Sequence, residues 1–145
     1  MKKEEAVKGD ALIKRLNQAL AQEHACWIRY LTHAAVLTGP YAELVAGRLK
    51  EIAGDEAKHA EKLRDRITAL DGRPGMDVAR EELIPARDLD KILEVNIREE
   101  EKAIALYREI LKAISHDDAL LLYETIEEIL QDEHEHLEEL TRLRG

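Results

Sequence analysis

The sequence predicts an all-α fold: a four-helix bundle in up-down-down-up order, with a long crossover between the second and third helices. Three observations predict it. The composition is 45% apolar and 37% charged, and it is rich in Glu, Ala, Leu, Lys and Arg, the strong helix formers. Glycine and proline interrupt the chain at few places, leaving four segments whose apolar residues recur at helical spacing. The two halves also repeat each other, which makes the chain two helical hairpins joined by one connection. At 145 residues, the chain fits a single domain over 1–145 with a core of its own.

Asp10, after Gly9, is the expected N-cap of the first helix, whose stripe runs Leu12, Ile13, Leu16, Leu20, Trp27, Leu31 and Ala34. Gly39-Pro40 ends it and opens the second, with Pro40 in the first turn, where the missing N–H costs nothing. Leu44, Leu49, Ile52, Leu63, Ile67 and Leu70 carry the second stripe. Gly54 within it suggests either close helix packing or room beside a site. Residues 71–88 hold Gly72, Pro74, Gly75 and Pro85 and form the long connection, with one short turn near Val78–Leu83. A third helix is expected from about Asp88 to Ile114. Ser115-His116-Asp117-Asp118 then makes a turn into a fourth, ending near Arg144. Four such helices with a short loop inside each pair read as a bundle.

The charge balance excludes several classes. A net charge of −9 argues against general nucleic-acid binding, and Lys2 and Lys3 stand beside Glu4 and Glu5, so DNA binding is not expected. One cysteine, Cys26, allows no intrachain disulfide and no Cys-based zinc site. No apolar run reaches the ~18 residues of a membrane span and no signal segment opens the chain, so a cytoplasmic protein is expected.

The repeat carries the chemistry. Asp55-Glu56-Ala57-Lys58-His59 and Asp132-Glu133-His134-Glu135-His136 share the pattern Asp-Glu-x-x-His at an offset of 77. Chance predicts only about 0.06 such matches in a chain of this composition. The same offset maps Glu23 to Glu100, Tyr30 to Tyr107, and Leu12, Leu16, Ile52 and Leu63 to Leu89, Leu93, Ile129 and Leu140. Glu23 and Glu56 are equidistant from the Gly39-Pro40 turn, and Glu100 and Glu133 from the His116-Asp117 turn. Each pair therefore lies level across its hairpin, about 25 Å from the turn. A twofold axis perpendicular to the bundle and through the site brings all four to one height, and it requires the second and third helices to be parallel. The connection must then travel the length of the bundle, and residues 72–87 span about 50 Å when extended.

On a helix, positions i and i+3 share a face, so Glu56/His59 and Glu133/His136 each point one carboxylate and one imidazole inward. With Glu23 and Glu100 the set is four carboxylates and two histidines. Buried alone it would be prohibitively costly, and two divalent cations would balance its four negative charges. Mixed O/N ligation with open positions suits iron, or manganese, better than a closed zinc site. Asp55 and Asp132 are placed to hold the histidine of the opposite motif. Tyr30 and Tyr107, two turns from Glu23 and Glu100, are each placed to hydrogen-bond a carboxylate across the bundle, though Tyr107 fits equally a core tyrosine with a wet hydroxyl. Cys26 faces inward as a small core residue, and His24, His33, His116 and His134 belong to the surface or to loops.

These residues resemble the ferritin-like di-iron carboxylate superfamily, within it the bacterioferritins and the cage-forming relatives of the DNA-binding protein from starved cells. The likeness is carried by Leu16-Asn17, Glu23, Tyr30 and both Asp-Glu-x-x-His motifs, and it covers nearly the whole chain. It implies that Glu56 and Glu133 bridge two metals, that Glu23 and His59 complete one and Glu100 and His136 the other, with Tyr30 as the catalytic side chain beside them. It implies a ferroxidase and iron store, oxidising Fe2+ with O2 or H2O2 at a di-iron centre inside a homo-oligomeric shell. Zinc is a further possible occupant. Ala57 stands where bacterioferritins carry the haem-binding methionine, so no haem is expected. The third helix lacks the extra carboxylate of rubrerythrins, with Ile97 and Ala103 flanking Glu100 instead. The chain stops without the fifth helix of 24-subunit cages, which favours a 12-subunit shell. Tyr41, Val45, Val78 and Ile84 exceed what one inward stripe needs, and with the crossover they suggest a twofold dimer face. The alternatives are a non-catalytic dimetal-binding helical dimer or a rubrerythrin-like peroxidase.

Overall fold

A computed structural model describes residues 2–145, with side chains described from Gly9 onward. Four helices, α1 (Lys2–Val36), α2 (Ala42–Ala69), α3 (Leu89–Lys112) and α4 (Leu120–Arg144), and one 3-10 turn at Arg80–Glu82 account for the regular structure. There is no strand among the described residues, and no helix is long and apolar enough to cross a membrane.

Some boundaries differ from expectation for local reasons. Asp10 lies inside α1 and does not cap it, because the strongly helix-forming residues before it carry the helix through Gly9. Pro40 lies in the turn ahead of the helix, which starts after Tyr41. Gly39 makes that turn with a φ of +117°, a conformation that suits a residue without a Cβ. Asp88 does cap α3: its Oδ1 accepts from the Lys91 N–H at 2.9 Å.

The core sets the topology. One apolar layer joins Leu16 and Leu20 of α1 to Leu63 and Ile67 of α2, Tyr107 and Ile110 of α3, and Leu122 and Ile126 of α4. The other joins Tyr30 and Ala34 to Leu49 and Ile52, Ile92 and Leu93, and Leu140. Residue numbers rise from the first layer to the second in α1 and α4 and fall in α2 and α3, which is the up-down-down-up order. The packed pairs are α1 with α2 and α3, and α4 with α3 and α2, so every neighbouring pair is antiparallel. Each fully buried Leu or Ile contributes about 1.5–3 kcal/mol relative to exposure.

Helix phase decides which apolar residues join these layers. Among the described side chains of α1 the buried set is Leu16, Ala19, Leu20, Glu23, Ala25, Cys26, Arg29, Tyr30, His33 and Ala34. That stripe leaves Trp27 on its flank, 46% exposed, and not in the core. In α2, Val45 is buried and Leu44 is 75% exposed, the reverse of expectation, and Leu70 past the helix end is also exposed. Gly54 faces open space and serves neither packing nor the site.

The crossover runs along α1. Asn17 holds its start, with Nδ2 donating to the Arg73 carbonyl and Oδ1 accepting from the Gly75 N–H. Gly72 comes so close that a Cβ there would stand 3.0 Å from Ile13 and Ile67. Further along, the Ala79 N–H donates to the Ala21 carbonyl at 3.0 Å, and Arg29 Nη1 donates to the Glu82 carbonyl at 3.0 Å. His33, expected at the surface, is buried beneath this strap. Its Nε2 donates to the Ile84 carbonyl at 2.8 Å, and its Nδ1 accepts from Asn96 Nδ2 at 2.9 Å. Both partners require a neutral ring.

Burial holds the His33 imidazole below its usual range, with Arg29 adding to the effect, against the opposing bond to Ile84. The unfolded chain therefore takes up a proton near pH 6.5 that the folded chain refuses, and stability falls as pH drops below that value. His33→Gln keeps one donor and one acceptor but does not titrate. Thermal midpoints at pH 8 and pH 5 should converge in this variant relative to the wild type; an unchanged difference would show that His33 does not set the acid limb.

Candidate metal centre

Between the two apolar layers lies one polar layer. Glu23, Glu56, His59, Glu100, Glu133 and His136 are all buried there, one or two from each helix. They form two groups that share two members: Glu23, Glu56, His59 and Glu133, and Glu56, Glu100, Glu133 and His136. Within each group the ligand atoms lie within 4.8 Å of one another. The structure thus brings together all six residues singled out as metal ligands and places Glu56 and Glu133 at the junction of the two halves.

Each histidine is oriented through its outer nitrogen. His59 Nε2 bonds Asp132 Oδ2 at 2.8 Å, and His136 Nε2 bonds Asp55 Oδ2 at 2.9 Å. Each aspartate reaches the opposite motif and leaves Nδ1 facing the centre. His59 Nδ1 stands 2.9 Å from Glu23 Oε2 and 3.3 Å from Glu133 Oε1. His136 Nδ1 stands 3.3 Å from Glu56 Oε1. Tyr30 donates to Glu100 Oε1 at 2.6 Å. The hydroxyl of Tyr107, its counterpart in the repeat, is buried with no partner.

The electrostatics are those of too many carboxylates in too little solvent. Burial and the neighbouring Glu56 push Glu23 well above the usual carboxylate range. Burial with Glu100 and Glu56 does the same to Glu133. Glu56 goes the other way: burial opposes its charge, but the His136 and His59 imidazoles that face it, 3.3 and 3.5 Å away, outweigh burial and hold the carboxyl well below that range. Burial also opposes protonation of both histidines. Contacts to Glu133, Glu23 and Glu56 for His59, and to Glu100, Glu133 and Glu56 for His136, nevertheless raise both far above the usual range. Protons thus neutralise the layer, and divalent cations entering it would displace them.

The donor set fits such cations. Glu23 Oε1, both oxygens of Glu56 and of Glu133, Glu100 Oε2 and His136 Nδ1 are buried without a hydrogen-bond partner. Buried polar atoms are rarely left so, and a cluster of carboxylate oxygens with two imidazoles is a hard-to-borderline ligand set of the iron or manganese type.

The sequence reading missed a second buried polar cluster beside this layer. The Arg29 guanidinium, 2% exposed, donates from Nε to Asn96 Oδ1 at 2.8 Å and lies 3.4 Å from Cys26 Sγ. Glu82 and Glu99 are buried with it, and Lys102 caps both. A signal was available, since Arg29 and His33 continue the inward α1 stripe of Cys26 and Tyr30. His24, His116 and His134 do lie outside the core.

A family profile described as "Ferritin-like domain" matches residues 13–145. The chain belongs to the ferritin-like family. It is 29% identical over 127 residues to a bacterioferritin of Desulfovibrio desulfuricans, a stretch covering 87% of this chain and 70% of that protein. Among solved structures, a ferritin-like di-iron carboxylate protein of Bacillus anthracis superposes with a TM-score of 0.90 at 29% identity, over 95% of this chain and 98% of that one. A dodecameric thioferritin, the bacterioferritin-related protein of Bacteroides fragilis, superposes with a TM-score of 0.84 at 31% identity, over 92% and 84%. This ferritin-like chain therefore shares its bundle with di-iron carboxylate proteins.

If the outer aspartates orient the two metal-facing histidines, removing one should weaken the site without unfolding the bundle. Asp132 is half-buried and holds His59 only through Nε2. Asp132→Ala should keep the helical circular dichroism of the wild type and lower metal affinity about 10–100-fold, read by calorimetric titration with Co2+. Equal affinities would remove Asp132 from the site.

Proposed function

We propose that this ferritin-like chain is a ferroxidase and iron-storage or detoxification protein. The observation that carries the reading is the set of unpartnered carboxylate oxygens buried at one level, arranged as two four-ligand groups sharing Glu56 and Glu133. In the proposed roles Glu56 and Glu133 bridge two irons, Glu23 and His59 complete one, and Glu100 and His136 complete the other. Bound there, each Fe2+ supplies one electron, so that a pair can reduce O2 to H2O2, or H2O2 to water.

The chain's own residues do the rest. The carboxylates compensate charge in both oxidation states. Asp55 and Asp132 hold the imidazoles with Nδ1 inward. Tyr30 fixes Glu100 through a 2.6 Å bond, and its place against that carboxylate supports a catalytic role beside the centre. The apolar layers on either side keep water from the reacting groups. The di-iron carboxylate protein of B. anthracis and the bacterioferritin of D. desulfuricans support iron as the metal.

The dodecameric relative supports a homo-oligomeric shell, with twelve subunits favoured. The outer face of α1 and the crossover suit a twofold contact. A groove of about 410 Å³ lies between Ile28, Thr32 and Val36 of α1 and Leu83, Ile84 and Pro85 of the crossover, and Trp27 and Met76 stand exposed nearby. A second chain packed there would bury this apolar surface.

Aerobic Fe2+ oxidation by the purified protein tests the reading. The wild type should oxidise added Fe2+ well above the rate in buffer, and Glu56→Ala and Glu133→Ala should each lower that rate by more than the about 10–100-fold typical of losing an outer partner. Full activity in both variants would sink the assignment. Light scattering tests the shell: a mass near twelve chains is expected, and a stable monomer or dimer would leave a metal-binding bundle with no store.

A further inference from the structure

The two halves of the centre are related by the 77-residue repeat, but they are not equally prepared. In the half built on Glu100 and His136, the carboxylate is already held by Tyr30 at 2.6 Å, and His136 Nδ1 has no hydrogen-bond partner. In the half built on Glu23 and His59, the two ligands are bonded to each other, His59 Nδ1 to Glu23 Oε2 at 2.9 Å. A metal claiming His59 Nδ1 must break that bond and leave Glu23 without a donor. Tyr107 occupies, on α3, the position that Tyr30 occupies on α1. It is 1% exposed and its hydroxyl has no partner, and the repeat that sets Glu100 against Tyr30 sets Glu23 against Tyr107.

Resting on the reading of the layer as a dimetal centre, we propose that Tyr107 is the hydrogen-bond donor to Glu23 in the metal-loaded protein, and that the Glu100/His136 half therefore fills before the Glu23/His59 half. An orphaned buried hydroxyl carries a desolvation cost. Glu23 relieves it once His59 turns its nitrogen to a metal, just as Glu100 relieves Tyr30 beforehand. Tyr107 is then a positioning residue for one half only. Because its bond forms on loading, its effect has opposite signs in the two states. Unpaired, it costs the apo fold stability, and paired, it strengthens the second binding step.

Anaerobic titration of the apo-protein with Co2+, followed by calorimetry and by the visible cobalt spectrum, separates the steps. The wild type should take up two ions with unequal affinities. Tyr107→Phe, which keeps the ring and removes the hydroxyl, should weaken the second step about 10–100-fold and leave the first unchanged. Tyr30→Phe should weaken the first. The apo thermal midpoint of Tyr107→Phe should equal or exceed that of the wild type, while the cobalt-loaded midpoint falls below it; a purely packing role would lower both. The Tyr30→Phe protein provides a second readout, since Tyr107 is then its only fully buried tyrosine. Its near-ultraviolet difference spectrum should show a red-shifted tyrosine band as the Glu23 half fills. Two unchanged binding constants in Tyr107→Phe, a loss confined to the first step, or no tyrosine band in Tyr30→Phe would overturn the proposal. A wild type that binds no metal would overturn the dimetal reading with it.

Discussion

Four glutamates at one level in the interior of a bundle are the constraint on which the rest of this structure depends. An isolated buried carboxylate would shed its charge, and four together cannot all ionise without compensation. The protein divides the burden. Glu56 keeps its charge between two imidazoles, Glu23 and Glu133 are pushed toward the protonated form, and Glu100 accepts the Tyr30 hydroxyl. The six side chains are thus held in a ligand geometry at a cost in stability. The apolar layers above and below supply the compensating burial.

That arrangement dictates the topology. In this bundle the two antiparallel hairpins meet with their turns at opposite ends, which puts α2 and α3 parallel and the two carboxylate pairs at one height. The chain must then cross the whole bundle between them. The crossover is long and largely without regular structure, so its backbone polar groups need partners. Asn17, Arg29 and His33 of α1 provide them along its path. The polar residues of α1 thus serve two purposes: Glu23 faces the centre, while Asn17, Arg29 and His33 hold the strap.

Near-symmetry is also where the molecule is most specific. The aspartate–histidine pairs cross between motifs in the same way on both sides, 2.8 and 2.9 Å apart. The tyrosines do not match, and neither do the surroundings: Arg29, Asn96 and His33 sit buried at one end of the α1–α3 contact, while positions 77 residues on from Arg29 and His33 hold Leu106 and Ile110. The repeat supplies the ligand set, and divergence between its halves makes the two metal positions distinguishable.

Much of this was legible in the residues alone. The helix count, the hairpin pairing, the crossover and the six converging side chains follow from helical periodicity, the 77-residue offset and the equal distances of the glutamates from their turns. These are one-dimensional quantities, and a helix converts them directly into direction and height. Helix phase is less forgiving. A shift of one residue moves a side chain by 100°, so periodicity alone turns Trp27 and Leu44 inward and Val45 outward, and the packed stripe reverses all three. The buried setting of His33 and Arg29 was decided only by tertiary structure, because both are covered by a crossover segment more than fifty residues away in sequence. The same holds for the tyrosines. The sequence makes Tyr30 and Tyr107 equivalent, and only the packed bundle shows that one hydroxyl has a carboxylate partner while the other has none. Hydrogen bonding depends on which groups compete for the same oxygen, and at Glu23 it is His59, brought in by the second helix, that currently holds it.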